Sequence, residues 1–459
     1  MAIDLSKVNK IYFVGIGGIG ISAAAGIAHI RHFLVEGSDA GESEVVSDLR
    51  EHQITVHVPH DAAHINEKIS LVVRSVAVPD DNPEIVKAEM LGIPVITYPQ
   101  FLGLLIKDKY GLGVSGTDGK TTTTAMLAKI MIDAGLDPTV VLGSKAEFLE
   151  DNWRAGDSEY FVFEADEYRR AFDNYDPKLA IITNIGLDHL DYYKDQADYL
   201  GAFKDYLKKL PADGVAIINN DNENSVEAAK ACPAKVITFG LKNEADYRAE
   251  AISVGDGWQV FKVWEKGIEA GEFKLRLPGD YNIANAVAAI AAARTLDVSW
   301  EAIRESLQEF KGAWRRFERL GFHGQTEIIA DYAHTPDAVG KAIKAVRDFY
   351  PNQKVLTVFQ PHQYARTKNL FSEFTAAFDD AEKVLIADIF YVVGREKPED
   401  FDVSSAKLVE AIKDRGINAE ASGDLSATEK RIRELVGDYD VVIILGAGNI
   451  YEIAKNLVK

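Results

Sequence analysis

Three scarcities bound the class of this protein before any motif is considered. A single cysteine, Cys232, in 459 residues excludes an internal disulfide framework and fits a reducing compartment. No apolar run reaches membrane-spanning length, and no basic stretch followed by an apolar segment stands near residue 1. A soluble, cytoplasmic protein without membrane association is therefore expected. Positive charge is also short, with 51 Lys and Arg against 71 Asp and Glu, a formal net charge of −20. That sign excludes a broad basic face for nucleic acid, although a few lysines, arginines and amides can still make one cleft positive for a small anion.

What is present is ordinary for a globular chain, 47% hydrophobic and 27% charged residues. The length suggests about three domains, and patterning places them at 1–108, 109–313 and 314–459. The expected fold is α/β throughout. A Rossmann-like parallel sheet comes first, with strands at 11–14, ending near 36, at 71–73 and at 95–96. A central P-loop ATPase-type sheet follows, with strands at 160–163, 179–182 and 215–218. Alternation at 258–264 and 273–277 predicts a small antiparallel addition to it. A second Rossmann-like domain closes the chain, with strands at 326–330, 355–359, 384–386 and 441–445.

The most informative stretch is Gly116-Thr-Asp-Gly-Lys-Thr-Thr, directly after an apolar run. Glycines let several N–H groups converge on one anion, Lys120 adds a full charge, and the Thr121 hydroxyl can reach a metal. A helix over 125–134 would aim its positive end at the same point. The strict P-loop pattern needs glycine at Val114, so this is a shorter variant, and it reads as a nucleotide triphosphate site built from Gly116, Thr117, Asp118, Gly119, Lys120, Thr121 and Thr122. Earlier, Gly15-Ile-Gly-Gly-Ile-Gly20 fits the dinucleotide fingerprint, with Glu36 or Asp39 where a ribose-binding acid is expected. An NAD-dependent dehydrogenase is the literal reading and a tight strand–helix crossing the plain one. A second phosphate loop further on favours a nucleotide diphosphate without redox chemistry.

Polar residues gather at the predicted strand ends. Glu164, in Glu-Ala-Asp-Glu, emerges where a buried strand stops and suits magnesium together with Thr121, as well as suiting solvent. His189, in Leu-Asp-His-Leu-Asp, reads on residue chemistry as a structural hydrogen-bonder. Asn282 and Asn285 lie one helical turn apart, where a carboxamide can pair with the edge of adenine or cap the helix. Arg315 and Arg316 stand at the second boundary, where a cation can reach a phosphate or pair with Glu318. Asp331-Tyr-Ala-His334 and Phe359-Gln-Pro-His362-Gln-Tyr-Ala-Arg366 follow two further strands, and together they predict a second-substrate site. Histidine can handle a proton there and Arg366 can clamp a carboxylate.

Over essentially the whole chain these motifs resemble the Mur ligase family of peptidoglycan synthesis. Gly-Thr-x-Gly-Lys-Thr-Thr, Glu-Ala-Asp-Glu, Thr-Asn-Ile-x-x-Asp-His, Asn-x-x-Asn-x-x-Ala and Asp-Tyr-x-His-x-Pro occur in that family's order. The resemblance implies an ATP-dependent amide ligase. Its carboxylate substrate would be UDP-N-acetylmuramate, its amine L-alanine, and its intermediate an acyl phosphate. It implies that Lys120 and the 116–122 loop hold ATP phosphates. It gives Thr121, Glu164 and His189 to magnesium, which reverses the reading of His189 from residue chemistry. Asn285 and Asn282 would read adenine, Asp331 would hold the ribose, and Arg316 would reach the phosphates. His334, His362 and Arg366 would position alanine, and Gly15, Gly17, Gly18, Gly20, Asp39, His60 and Ser75 match the nucleotide-sugar positions. No NAD is implied. A recycling ligase that attaches a preformed tripeptide is the nearest rival, and a nucleotide-switch protein a more distant one. Asp118 replaces the histidine common in the family, Ala333 and Thr335 depart from its Asp-Tyr-Gly-His-His-Pro, and Gln363 stands where an arginine often sits. No motif sets the number of copies in an assembly.

Overall fold

A computed structural model describes residues 3–149, 151–186, 188–189, 192–255, 257–392, 396 and 400–459. The chain divides into two compact units. The first holds Met1–Ala249, Val263–Gly271 and Ala284–Leu307, and the second Glu250–Lys262, Glu272–Ile283 and Gln308–Lys459.

Alternating strand and helix produce the parallel sheets expected of such a pattern. In the first unit a five-stranded sheet runs in the order Thr55–His57, Leu34–Ser38, Lys10–Val14, Leu71–Arg74, Val95–Thr97, all pairs parallel. Its order reverses beside Lys10–Val14, which opens a crevice at the C-terminal ends of the strands. A larger sheet of ten strands includes Trp153–Arg154, Thr139–Val141, Tyr160–Glu164, Tyr110–Ser115, Leu179–Ile182, Val215–Asn219 and Lys235–Gly240 in that spatial order. It ends in Tyr247–Gly255, Trp258–Glu265 and Ile268–Leu275, where the sequence pattern placed the antiparallel addition.

Within the first unit one apolar core serves both sheets. Phe13 meets the edge of Phe101 at 5.5 Å, and Trp153 packs so tightly on Gly26 that a Cβ there would lie 2.3 Å from its ring. Asn152 Nδ2 donates to Ile19 O at 2.5 Å, and Lys145 reaches Asp48 at 2.5 Å.

The second unit carries a six-stranded sheet, ordered Glu318–His323, Thr326–Asp331, Val441–Leu445, Val355–Phe359, Lys383–Ala387, Asn418–Gly423. Its first pair is antiparallel and the others parallel. Ile328, Leu356, Leu385, Val442 and Ile444 fill one face of its core. The three sheets therefore follow the α/β layout expected from the sequence, with polar residues left at the strand ends.

Candidate active site

The strand Tyr110–Ser115 passes into the glycine loop and then into the helix Lys120–Asp133. Gly116 has φ +137° and a Cβ on it would meet Thr183 Oγ1 at 2.0 Å; Gly119 has φ +85° and a Cβ would meet Asn285 Oδ1 at 2.4 Å. Only glycine fits either place. The N-cap is Gly119, which has no side chain to cap the helix, so its first amides remain directed into the loop. The neighbouring strand end holds the loop in shape. Thr117 N donates to Asn184 O at 3.0 Å, Thr117 Oγ1 to Gly186 O at 2.8 Å, and Thr183 Oγ1 to Asp118 O at 2.6 Å. Asn285 is brought against the loop; Asn282, on the same helix Asp280–Thr295, donates through Nδ2 to Pro278 O at 2.7 Å.

Lys120 Nζ donates to Gly116 O at 2.5 Å, to Thr117 O at 3.2 Å and to Glu167 Oε1 at 2.9 Å. Glu167 is closed to solvent, and among the described residues its Oε2 has no hydrogen-bond partner. Burial opposes charge on both groups, but their neighbours outweigh it: Glu167, with Asp166 and Glu164, holds the lysine above its ordinary pKa, and Lys120, with His189, holds the carboxyl below. Tyr199 Oη lies 3.4 Å from Glu167 Oε1 and His189 Nε2 also lies 3.4 Å from it. Burial lowers the His189 pKa, yet Glu167, Asp188 and Asp166 together raise it. Leu187, Leu190 and Asp191 of the same motif lie outside the described residues.

The acids separate into two groups. Glu164 accepts from Thr121 Oγ1 at 3.0 Å and from Gly143 N at 2.6 Å. Asp166, Glu167 and His189 form the other group, each offering a ligand atom within 4.8 Å of the others. Thr121 and Glu164 are thus brought together, while His189 faces Glu167. Oxygen donors dominate, and Glu167 Oε2 is a buried acceptor with no donor among the described residues, so the set fits a hard divalent cation. The sequence did not single out Glu167 or Tyr199. Its signal was present in Glu-Ala-Asp-Glu, three acids in four residues, of which the fold buries Glu167 completely.

The five-stranded sheet gathers the other glycine motif. Gly15 N and Ile16 N donate to Ser38 O at 2.8 and 2.9 Å, Gly17 N to Asp39 Oδ2 at 2.8 Å, and Ser75 lies against Gly15. Gly18 is the N-cap of the helix Ile19–Ile30, and Gly20 in its first turn faces Tyr98. His60 Nδ1 sits 2.9 Å from Ser38 Oγ. Gly15, Ser38, Asp39 and Ser75 thus stand at or just past the C-terminal ends of their strands, and Gly18 and Gly20 at the start of the helix that follows.

In the second unit Asp331 accepts from Phe317 N at 2.7 Å and Ala333 N at 2.8 Å. Burial pushes its pKa up while Arg316 pulls it down, and burial wins. Arg316 lies over the Tyr332 ring at 4.6 Å. Arg315 has a different task, donating to Gly446 O at 2.5 Å and Gly448 O at 2.9 Å, with its guanidinium over Trp314, Tyr332 and Tyr451. His334 Nδ1 lies 3.0 Å from Tyr332 O, and its ring centroid is 6.0 Å from that of His362. Burial, reinforced by Arg366, lowers His334 to about 4. His362 stacks on Phe390 at 5.2 Å and takes Arg366 Nη1 at 3.3 Å. The His and Arg residues expected at matching strand ends do form one cluster.

Comparison with known proteins gives full-length similarity. Family models described as "Mur ligase family, catalytic domain", "Mur ligase middle domain" and "Mur ligase, glutamate ligase domain" match residues 10–110, 114–293 and 315–448. The UDP-N-acetylmuramate–L-alanine ligase of Caldanaerobacter subterraneus subsp. tengcongensis is 37% identical, covering 100% of this chain and 99% of its own. The enzyme of that name from Clostridium novyi is 38% identical over 99% of both. Among solved structures, the UDP-N-acetylmuramate–alanine ligase of Thermotoga maritima superposes with a TM-score of 0.84 at 31% identity, covering 98% of each chain. A murein peptide ligase from Psychrobacter arcticus shares the fold, with a TM-score of 0.70 at 23% identity and 98% coverage of each.

Proposed function

The chain belongs to the Mur ligase family, and from that premise we propose that it joins L-alanine to the lactyl carboxylate of UDP-N-acetylmuramate, converting ATP to ADP and phosphate. The observation that carries this reading is the glycine loop at an uncapped helix start, with Lys120 set against Glu167 and two groups of oxygen donors beside it. Such a loop serves a triphosphate. An NAD-dependent oxidoreductase would leave it without a task, and the full-length relatives at 37–38% identity carry the alanine ligase name rather than that of the tripeptide ligase.

The chemistry follows from the parts. A carboxylate oxygen attacks the γ-phosphorus, the bond to ADP breaks, and an acyl phosphate forms. The amine nitrogen then attacks the acyl carbon, and the tetrahedral adduct expels phosphate with the original carboxylate oxygen while the nitrogen gives up its proton. Lys120 and the amides of 116–122 bind the phosphates, charge-assisted donors being the strong ones. Thr121 and Glu164 would hold magnesium, with His189, which faces Glu167 rather than Glu164, as the third ligand that the family resemblance implies. Bound there, the ion would supply positive charge to offset that of the transferring phosphoryl group. Asn285, seconded by Asn282, would contact adenine and Asp331 the ribose. Arg316 would add charge at the phosphates. Gly15, Gly17, Gly18, Gly20, Asp39, His60 and Ser75 would hold UDP-N-acetylmuramate, with amides at the start of the helix Ile19–Ile30 facing its diphosphate. Arg366 would clamp the alanine carboxylate, with His334 and His362 beside it. Three functional segments, 1–108, 109–313 and 314–459, correspond to these three substrates.

Among the described residues no helix is long and apolar enough to cross a membrane. With an ATP substrate and one cysteine, a cytoplasmic site of action is the reading we adopt. The test is ADP release measured across L-alanine, glycine, L-serine and the tripeptide. Release should require UDP-N-acetylmuramate and be fastest with L-alanine; a clear preference for tripeptide would move the chain to the recycling class.

A further inference from the structure

Glu84 is fully buried, with 0% of its surface exposed, and its ion-pair partners among the described residues are histidines only. It lies in the first turn of the helix Pro83–Met90. Oε1 takes Tyr12 Oη at 2.9 Å, Asp61 N at 3.3 Å and His64 Nδ1 at 2.9 Å. Oε2 takes Ser38 Oγ at 2.5 Å and His60 Nδ1 at 3.0 Å. Burying a carboxylate with neither lysine nor arginine beside it is costly, and an apolar side chain would close the same space more cheaply. The unusual choice calls for a task.

A carboxylate oxygen only accepts, so His60 presents Nδ1–H to it, and in the neutral ring Nε2 carries the lone pair. Ser38 ends its strand and His60 follows the strand Thr55–His57, both at the C-terminal edge where open parallel sheets bind ligands. Gly17, whose amide meets Asp39, lies at the same edge.

We propose that Glu84 is a positioning residue for the nucleotide-sugar site, fixing His60 so that Nε2 accepts a hydrogen bond from the uridine half of the ligand. The donor is a ribose hydroxyl or the uracil imide N–H, which share that chemistry. This rests on the UDP-N-acetylmuramate reading above. Glu84 touches no ligand itself; it acts through His60.

The test is calorimetric binding of UDP, 2′-deoxy-UDP, 3′-deoxy-UDP and N3-methyl-UDP to the full chain and to its Glu84→Gln and Tyr12→Phe variants, with thermal unfolding alongside. The wild-type chain should bind one analogue about tenfold more weakly than UDP, which identifies the donor. Glu84→Gln should bind UDP about tenfold more weakly and lose that discrimination. Tyr12→Phe removes a donor from the far oxygen and should keep it. Should Glu84→Gln fail to fold, His60→Ala gives the same reading, weakening UDP but not the analogue without the donor. Equal binding of all four ligands by the wild type overturns the proposal, as does a folded Glu84→Gln or His60→Ala variant that discriminates normally. A wild-type chain that binds no UDP removes the nucleotide-sugar reading itself, and this inference with it.

Discussion

The ammonium of Lys120 donates to Glu167 Oε1 at 2.9 Å, and that carboxylate has no access to water. The cation of the phosphate loop is therefore fixed before any nucleotide arrives. Two loop carbonyls, Gly116 O and Thr117 O, take its other protons. Such preorganisation suits a site whose work is positioning and charge stabilisation.

Removing one partner of this pair leaves the other buried and uncompensated. Lys120→Ala should lose turnover by orders of magnitude and also about 3–5 kcal/mol of stability. Adding Glu167→Gln should restore much of the melting temperature while leaving turnover lost. Calorimetry of the single and double variants checks this, and an unchanged melting temperature in Lys120→Ala would count against a buried pair.

The two adjacent arginines should separate cleanly. Arg315 braces Gly446 and Gly448 through their carbonyls. Arg315→Ala should therefore lower stability by about 2 kcal/mol or more, as lost charged hydrogen bonds do. Arg316→Ala, which loses the charge near Asp331 and the contact with the Tyr332 ring, should cost less stability than Arg315→Ala and lower kcat by about a hundredfold, the scale of a lost transition-state donor. Thermal unfolding and steady-state kinetics on both variants decide the matter.

His334 predicts an acid limb in the stability curve. Burial, first, and Arg366 depress its pKa from 6.5 to about 4. Between those values the unfolded chain binds a proton that the native chain refuses, so stability is full above 6.5 and falls as pH drops towards about 4. His334→Gln should flatten that part of the curve, measured as denaturant midpoint against pH.

Asp118 places an exposed anion in the phosphate loop. Asp118→Asn should lower the KM for ATP by about threefold, the scale of a surface charge interaction, with kcat little changed. Initial-rate kinetics at fixed magnesium test this, and a raised KM would mean that the carboxylate assists binding.

The sequence made the parallel sheets and the phosphate loop legible because both rest on local rules, glycine spacing and apolar runs ending in polar residues. Boundaries were less so. The helix after the loop begins at Lys120 rather than near 125, since four consecutive threonines, poor helix formers, are buried and packing overrides their propensity. The second strand runs on through Gly37 and Ser38, which pair with Phe13 and Val14. The edge strand Asn418–Gly423, rich in small and polar residues, gives little β signal and was not read at all. Within the site, the sequence favoured Glu164 over Asp166 and Glu167 but could not show that Glu167 is the buried one, because burial is set by neighbours such as Tyr199 that lie far along the chain. Glu84 was invisible for the same reason: on a helix of mixed composition, only the fold shows which acid faces inward.

Carboxyl activation by phosphoryl transfer is the central claim, and following the oxygen tests it most directly. UDP-N-acetylmuramate carrying a heavy oxygen isotope in its lactyl carboxylate should, with ATP and L-alanine, deliver one labelled oxygen into the released phosphate. Phosphate formed without label, or formed at the same rate with ATP alone, would contradict the account.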